Sequence, residues 1–206
     1  RVQHHRQRTR DPSMAVTIVD PGCGNLHSLR KAFEYLGQEV IMAEDPNVFA
    51  WAPRIILPGV GSFPAAMEKL TSSGLSEDIW IAAKLGTPIL GICLGAQLLC
   101  TKSYEGNTVT LGMDLLDANI FLIRGGIVPK TGWQETIWYE HPNSSYYFNH
   151  SYEMVPYDQD GLVTARTTDG IVAAMEKDNI LAVQFHPEKS QEAGLEFLRS
   201  WLSTRG

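Results

Sequence analysis

Apolar positions follow two different patterns along this 206-residue chain. In the first half, short uninterrupted apolar runs alternate with segments where they recur every three or four positions. Ala15–Asp20 reads as a buried strand ending in the turn Pro21-Gly22-Cys23-Gly24. Leu26–Leu36 reads as a helix with Leu26, Leu29, Ala32, Phe33 and Leu36 on one face, stopped by Gly37. Glu39–Ala43 and Arg54–Leu57 read as strands, Ala65–Leu70 and Ile79–Leu85 as helices, and Pro88–Cys93 as a further buried strand. Ala96–Cys100 reads as the start of a helix. Strand alternating with helix predicts a parallel sheet with helices on both faces.

The second half reads as short strands separated by turns: Asn119–Val128, Glu135–Trp138, Ser145–Phe148, Leu162–Arg166 and Ile171–Glu176. Antiparallel pairing is expected there. Leu181–Phe185 adds a strand, and Glu192–Leu202 closes as an amphipathic helix with Leu195, Leu198 and Leu202 on one side. No repeat or linker divides the chain, so 14–206 reads as a single α/β domain. Residues 1–13 show no apolar periodicity and read as a vector-derived tail ahead of Met14, with a basic targeting segment as the alternative.

Charge and composition narrow the function classes. The net charge is −6; four Arg against one Asp in 1–13 carry +3, leaving −9 for the rest. That balance argues against nucleic-acid binding. No apolar run reaches the length of a membrane span. Cys23, Cys93 and Cys100 are odd in number and lack CxxC spacing, which fits neither a disulfide framework nor a zinc site. A reducing, cytoplasmic setting is expected, and no metal or organic cofactor.

The candidate chemistry lies at strand ends. Gly91-Ile92-Cys93-Leu94-Gly95 stands where a buried strand turns into a helix, in the pattern Gly-x-nucleophile-x-Gly. Small neighbours let the backbone make the sharp turn, and a helix N-terminus favours a thiolate. A buried Cys in an ordinary turn is the bland alternative. His186-Pro187-Glu188 follows the strand Leu181–Phe185. Two residues apart on an extended segment, His186 and Glu188 would point the same way. Together with Cys93 they make a nucleophile, a base and an orienting carboxylate. Leu57-Pro58-Gly59-Val60-Gly61-Ser62 ends another strand on the same sheet edge. Amides around Val60 and Gly61, with the Leu94 amide, are candidates to stabilise an oxyanion.

Other patches are weaker. Gly22-Cys23-Gly24-Asn25-Leu26-His27, with Glu44 downstream, is similar to the start of a dinucleotide fingerprint but lacks its third glycine. Asn149-His150-Ser151-Tyr152 is a polar cluster that could hold a small substrate and otherwise reads as a loop. Trp133, beside Gly132, suits a partner surface or the core equally, and Tyr146, Tyr147 and Phe148 read as plain strand residues.

Pro58-Gly59-Val60-Gly61, Gly91-Ile92-Cys93-Leu94-Gly95-Ala96-Gln97 and His186-Pro187-Glu188-Lys189-Ser190 together resemble the class I (triad) glutamine amidotransferases, from about Ala15 to Leu202. Val19-Asp20, Gly24-Asn25-Leu26, Gly132-Trp133 and His150-Ser151-Tyr152 are similar to the branch that serves imidazole glycerol phosphate synthase. The resemblance implies a flavodoxin-like α/β fold with a mostly parallel central sheet flanked by helices, and an antiparallel section in the second half. It implies a glutaminase in which Cys93 attacks the glutamine amide, His186 relays the proton and Glu188 orients His186. It places Gly59, the Gly61 neighbourhood, Gln97, Glu105, His150, Ser151 and Tyr152 around glutamine. It places Asn25, Trp133 and Lys189 toward a (β/α)8 cyclase subunit, the heterodimer partner that receives the ammonia in histidine biosynthesis. Low activity without that partner is expected, since ammonia released into water would be protonated and lost.

The chain departs from the family pattern at Pro21, at Pro129-Lys130-Thr131-Gly132-Trp133-Gln134 and at Thr110-Leu111-Gly112-Met113. These departures leave open a paralogous glutaminase that feeds another acceptor enzyme, such as one amidating a surface sugar. A cysteine hydrolase of other specificity, a non-catalytic binding protein and a nicotinamide enzyme are the readings from other classes.

Overall fold

The computed structural model describes residues 15–20, 26–43, 52–106, 108–158 and 162–204. Strand β1 (Ala15–Val19) leads to helix α1 (Leu26–Tyr35), then β2 (Glu39–Ala43) and β3 (Ile55–Leu57). Two helices follow, α2 (Phe63–Ser72) and α3 (Leu75–Lys84), and then β4 (Ile89–Ile92) and the short α4 (Leu94–Leu98). The second half carries β5 (Cys100–Ser103), β6 (Thr110–Leu111), β7 (Leu116–Leu122), β8 (Lys130–Trp138), β9 (Ser144–His150) and β10 (Tyr152–Pro156). It ends with β11 (Val163–Thr167), β12 (Val172–Lys177), β13 (Ile180–Val183), a single 3-10 turn at Pro187–Lys189 and helix α5 (Gln191–Ser203).

The larger sheet has nine strands in the order β2-β1-β3-β4-β13-β12-β11-β8-β9. From β2 to β13 the neighbours are parallel. From β13 to β9 they are antiparallel. The smaller sheet has the order β10-β7-β5-β6. Both faces of the parallel half are covered, which is why its strands are uninterrupted apolar runs. Ile55 and Leu57 pack with Phe63, Leu70, Leu75 and Ile79 of α2 and α3. Ile56, between them, packs on the opposite face with Leu29 and Phe33 of α1 and Leu198 and Trp201 of α5. The carboxyl ends of β3, β4 and β13 therefore lie side by side, at the edge where open α/β sheets hold their ligands.

The α/β architecture and the antiparallel second half agree with the sequence reading, but several elements differ. Ala96–Cys100 does not begin a long helix: α4 stops at Leu98 and Cys100 opens β5. The carbonyls of Leu98, Leu99 and Cys100 accept the amides of Met113, Leu115 and Asp114, so the ladder that would extend the helix is taken by another segment. Gly112 makes this crossing possible, since a Cβ there would lie 2.1 Å from the Cys100 oxygen. The strand expected at Asn119–Val128 is instead Leu116–Leu122, and the one expected from Glu135 starts at Lys130. Asn149–Tyr152 is not a loop: His150 ends β9 and Tyr152 opens β10, so Ser151 carries the chain from one sheet to the other. Among the described residues, no helix is long and apolar enough to cross a membrane.

Candidate active site

Cys93 sits between β4 and α4 with φ 55° and ψ −111°, a conformation that L-residues rarely adopt. Its amide donates to Val183 at 2.8 Å, which anchors the turn to β13. The flanking glycines are steric requirements. A Cβ on Gly91 would lie 2.8 Å from the Ala96 Cα, and one on Gly95 would lie 1.7 Å from the Leu57 oxygen. Helix α4 thus rests directly on β3 and β4, and this contact holds the cysteine in its strained geometry. The Cys93 side chain is buried, in line with a site closed to bulk water.

His186 and Glu188 meet by a route the sequence reading did not anticipate. They do not lie on one side of an extended segment. Pro187–Lys189 forms a 3-10 turn that brings a Glu188 carboxylate oxygen to 2.8 Å from the His186 Nδ1. Ser190 locks the turn: its hydroxyl donates to the His186 carbonyl at 2.6 Å and accepts the Tyr147 amide at 2.9 Å. The His186 amide donates to the Tyr147 carbonyl at 2.8 Å. Gly194 lets α5 begin tight against this turn, because a Cβ there would lie 1.9 Å from the Pro187 oxygen.

With Nδ1 engaged by Glu188, Nε2 is the ring nitrogen left for the Cys93 thiol. Burial works against a charged His186. Hydrogen bonding and charge from Cys93 and Glu188 outweigh it and raise the imidazole to about 9. The ring is therefore protonated at neutral pH.

The turn after β3 faces this pair from across the sheet edge. The Leu94 amide, expected as an oxyanion donor, instead donates to the Gly59 carbonyl at 3.3 Å. In a planar trans peptide the N–H points opposite to the C=O. The Val60 N–H is therefore turned away from the Leu94 amide, and the two donors do not converge on one point in this state. Gly61 has φ 108°, and a Cβ there would meet nothing within 4 Å, so this turn has room to change. Glu105 holds the far end of the turn, accepting the Phe63 amide at the start of α2 at 2.9 Å.

The remaining candidate pocket residues are drawn together but mostly inward. Gln97 is buried and its Nε2 donates to the Tyr152 carbonyl at 3.0 Å and to the Gln184 Oε1 at 2.9 Å. His150 is also buried, with Nδ1 2.8 Å from the same Tyr152 carbonyl. Burial lowers the His150 ring to about 4, so it is neutral and carries its proton on Nδ1. It supports the segment rather than presenting a charge. Ser151 and Tyr152 are half-buried at the passage between the sheets. Among the described residues, no cluster of His, Cys, Asp or Glu has metal-binding geometry. The turn expected at Pro21–Gly24, with Cys23, the candidate Asn25 and the acid Glu44 lie outside the described residues, as does the 1–13 tail.

A family model for the class-I glutamine amidotransferases matches residues 17–203. The chain belongs to the class-I glutamine amidotransferases. It is 40% identical over 198 residues to a Moorella thermoacetica protein named imidazole glycerol phosphate synthase subunit HisH, covering 90% of this chain and 93% of that one. It is 41% identical over 197 residues to a Methanothermobacter thermautotrophicus protein of the same name, covering 91% and 97%. Its fold is similar to a crystal structure of a glutamine amidotransferase, with TM-score 0.77, 17% identity and coverage of 92% and 99%. It is also similar to a chain in the structure of PurLQS from Thermotoga maritima, with TM-score 0.69, 18% identity and coverage of 90% and 96%.

Two further features of this amidotransferase lie beside the site. Trp133 is half-exposed on β8, edge-on to Tyr147 with ring centroids 6.3 Å apart. The Lys189 Nζ lies 5.8 Å from the same Tyr147 ring. Tyr147, read from sequence as a plain strand residue, thus joins Trp133 to Lys189. Gln184 escaped the sequence reading altogether. Its signal was its place two residues before His186, just past the end of β13, and Gln97 lies four residues after Cys93 across α4.

Proposed function

We propose that this amidotransferase is the glutaminase subunit of imidazole glycerol phosphate synthase, acting in the cytoplasm as a heterodimer with the (β/α)8 cyclase subunit. The observation that carries the reading is the about 40% identity, over nine-tenths of the chain, to proteins bearing that subunit name. The Cys93, His186 and Glu188 geometry supports the chemistry. The Cys93 thiolate attacks the side-chain amide carbon of glutamine, and the carbonyl becomes an oxyanion. Collapse breaks the C–N bond, and His186 gives its proton to the departing ammonia. Water then attacks the glutamyl thioester with His186 as base; His186 regains its proton, glutamate is released and the sulfur leaves as the thiolate. Glu188 keeps the His186 ring oriented through Nδ1. The ammonia is passed to the cyclase, whose lyase reaction yields imidazole glycerol phosphate and an aminoimidazole nucleotide.

The Leu94–Gly59 hydrogen bond supports dependence on a partner. With that donor occupied and the Val60 N–H turned away, the oxyanion lacks its preorganised support. Turning the Gly59–Val60 peptide would free both donors together. One oxyanion donor is worth about 10²–10³ in turnover, so stimulation of at least that order is expected. The test is glutamate release from glutamine, alone and with the cyclase subunit plus its nucleotide ligand, with Cys93→Ala as control. Strong stimulation that vanishes in the variant supports the reading. Cys93-dependent activity that ignores the cyclase transfers the protein to another acceptor enzyme.

A further inference from the structure

Gln184 is completely buried beside the nucleophile, and its Nε2 lies 3.7 Å from the Cys93 sulfur. Its orientation follows from the neighbours. The Tyr152 carbonyl can only accept, so the Gln97 group facing it must be the NH2. The same Gln97 nitrogen faces Gln184, which must answer with its oxygen. The Gln184 NH2 is thereby left pointing at sulfur. Reversing Gln184 would set two buried donors against each other. Besides His186, a further polar neighbour of the sulfur works in the opposite direction. The Asn149 carbonyl lies 3.8 Å from Sγ and suits a neutral thiol, which can donate to it.

We propose that Gln184 is the hydrogen-bond donor that stabilises the Cys93 sulfur as thiolate, and that Gln97 is the positioning residue that aims it. The proposal rests on the reading of Cys93 as nucleophile. The sequence places the four groups economically. Gln184 and His186, two apart just past the end of β13, both lie beside the sulfur. Cys93 and Gln97, four apart across α4, lie on one helical face. A buried thiolate without water needs such donors. A charged acceptor strengthens the bond it receives, so the Gln184 interaction is larger for thiolate than for thiol.

The test is the rate of Cys93 alkylation by iodoacetamide in the full chain, resolved by peptide mass so that Cys23 and Cys100 do not interfere. Gln184→Met is expected to slow alkylation at pH 7 by about tenfold, with the deficit shrinking as pH rises and more thiolate forms. Gln97→Met is expected to act in the same direction with a smaller loss. In the partner-stimulated enzyme, Gln184→Met is expected to lower kcat while leaving KM for glutamine unchanged. Alkylation of Gln184→Met at the wild-type rate, or a deficit equal at every pH, would overturn the proposal. If that variant does not fold, the unaltered chain decides by NMR. The Gln184 side-chain amide resonance should titrate in step with alkylation, and a resonance flat through that transition overturns the assignment. The alkylation and NMR readouts, which decide the proposal, do not use glutamine turnover. Failure of the glutaminase reading would show separately, as no glutamine hydrolysis with or without the partner, or as hydrolysis that survives Cys93→Ala.

Discussion

Two turns face each other at this sheet edge and are built in opposite ways. The turn at 91–95 is closed on every side: Cys93 is strained, and Gly91 and Gly95 leave no room even for a methyl group. The turn at 58–62 is open past Gly59, which packs on Leu94 and Gly95: Val60 is exposed and Gly61 has space around it. The first holds one atom in one place, whereas the second leaves room for the peptide reorientation proposed above. Packing fixes Cys93, the proposed nucleophile, and its absence at Val60 and Gly61 leaves room for the proposed oxyanion support to adjust. A site of this kind can keep its nucleophile ready while staying idle.

The largest expected effect tests which turn carries the reaction. Cys93→Ala should lower partner-stimulated glutamine hydrolysis by about 10⁴-fold or more, measured as glutamate release. Glu188→Gln should come next, losing on the order of 10²-fold or more in kcat. It should also alter the pH profile. In the wild type, His186 holds its proton up to about pH 9, and turnover should fall as pH rises through that value. Without the carboxylate the fall should begin at lower pH. Linkage has the same sign: the raised folded value contributes stability that is full below the ordinary 6.5 and is lost as pH rises through about 9. Thermal melts across that window check it.

The direct contrast between the turns lies in their glycines. Gly95→Ala forces a Cβ into the Leu57 carbonyl and should cost about 3 kcal/mol or more of stability. Gly61→Ala meets no atom and should cost only about 1–2 kcal/mol, from its positive φ. Its main effect should be weaker stimulation by the partner, with the unstimulated rate nearly unchanged. Equal melting temperatures for these two variants would remove the distinction between closed and open turns. Smallest of all, Lys177→Ala breaks an exposed pair with Asp117 on the far surface. It should cost less than about 1 kcal/mol and leave activity alone.

Much of this was legible because the parallel half obeys simple rules. Ile55-Ile56-Leu57 can only be a strand covered on both faces, and the glycines around Cys93 announce a tight turn. The same rules failed at Ala96–Cys100. Every residue there is buried, so no polar face marks where the helix stops. Its end is set by amides from 113–115, which no local pattern foretells. The His186–Glu188 pairing was legible in its members but not in its geometry, because a 3-10 turn and an extended segment suit the same residues. Gln184 was hidden because an isolated glutamine carries no pattern until Gln97 and Tyr152 give it an orientation. The direction of the Gly59–Val60 peptide lies beyond sequence for a different reason. It depends on a rotation that glycine permits in either sense.

The turn that carries His186 and Glu188 also has a part in solubility. β9 is the last strand of the larger sheet, and an unprotected outer strand is an invitation to stack with another molecule. Tyr147, in the middle of β9, has its carbonyl taken by the His186 amide and its amide taken by the Ser190 hydroxyl. The backbone that presents the base therefore also plugs the rim of the sheet. Damage to this turn, as in Ser190→Ala, should reach the cell first as clumped or degraded protein, before any slow enzyme could be assayed.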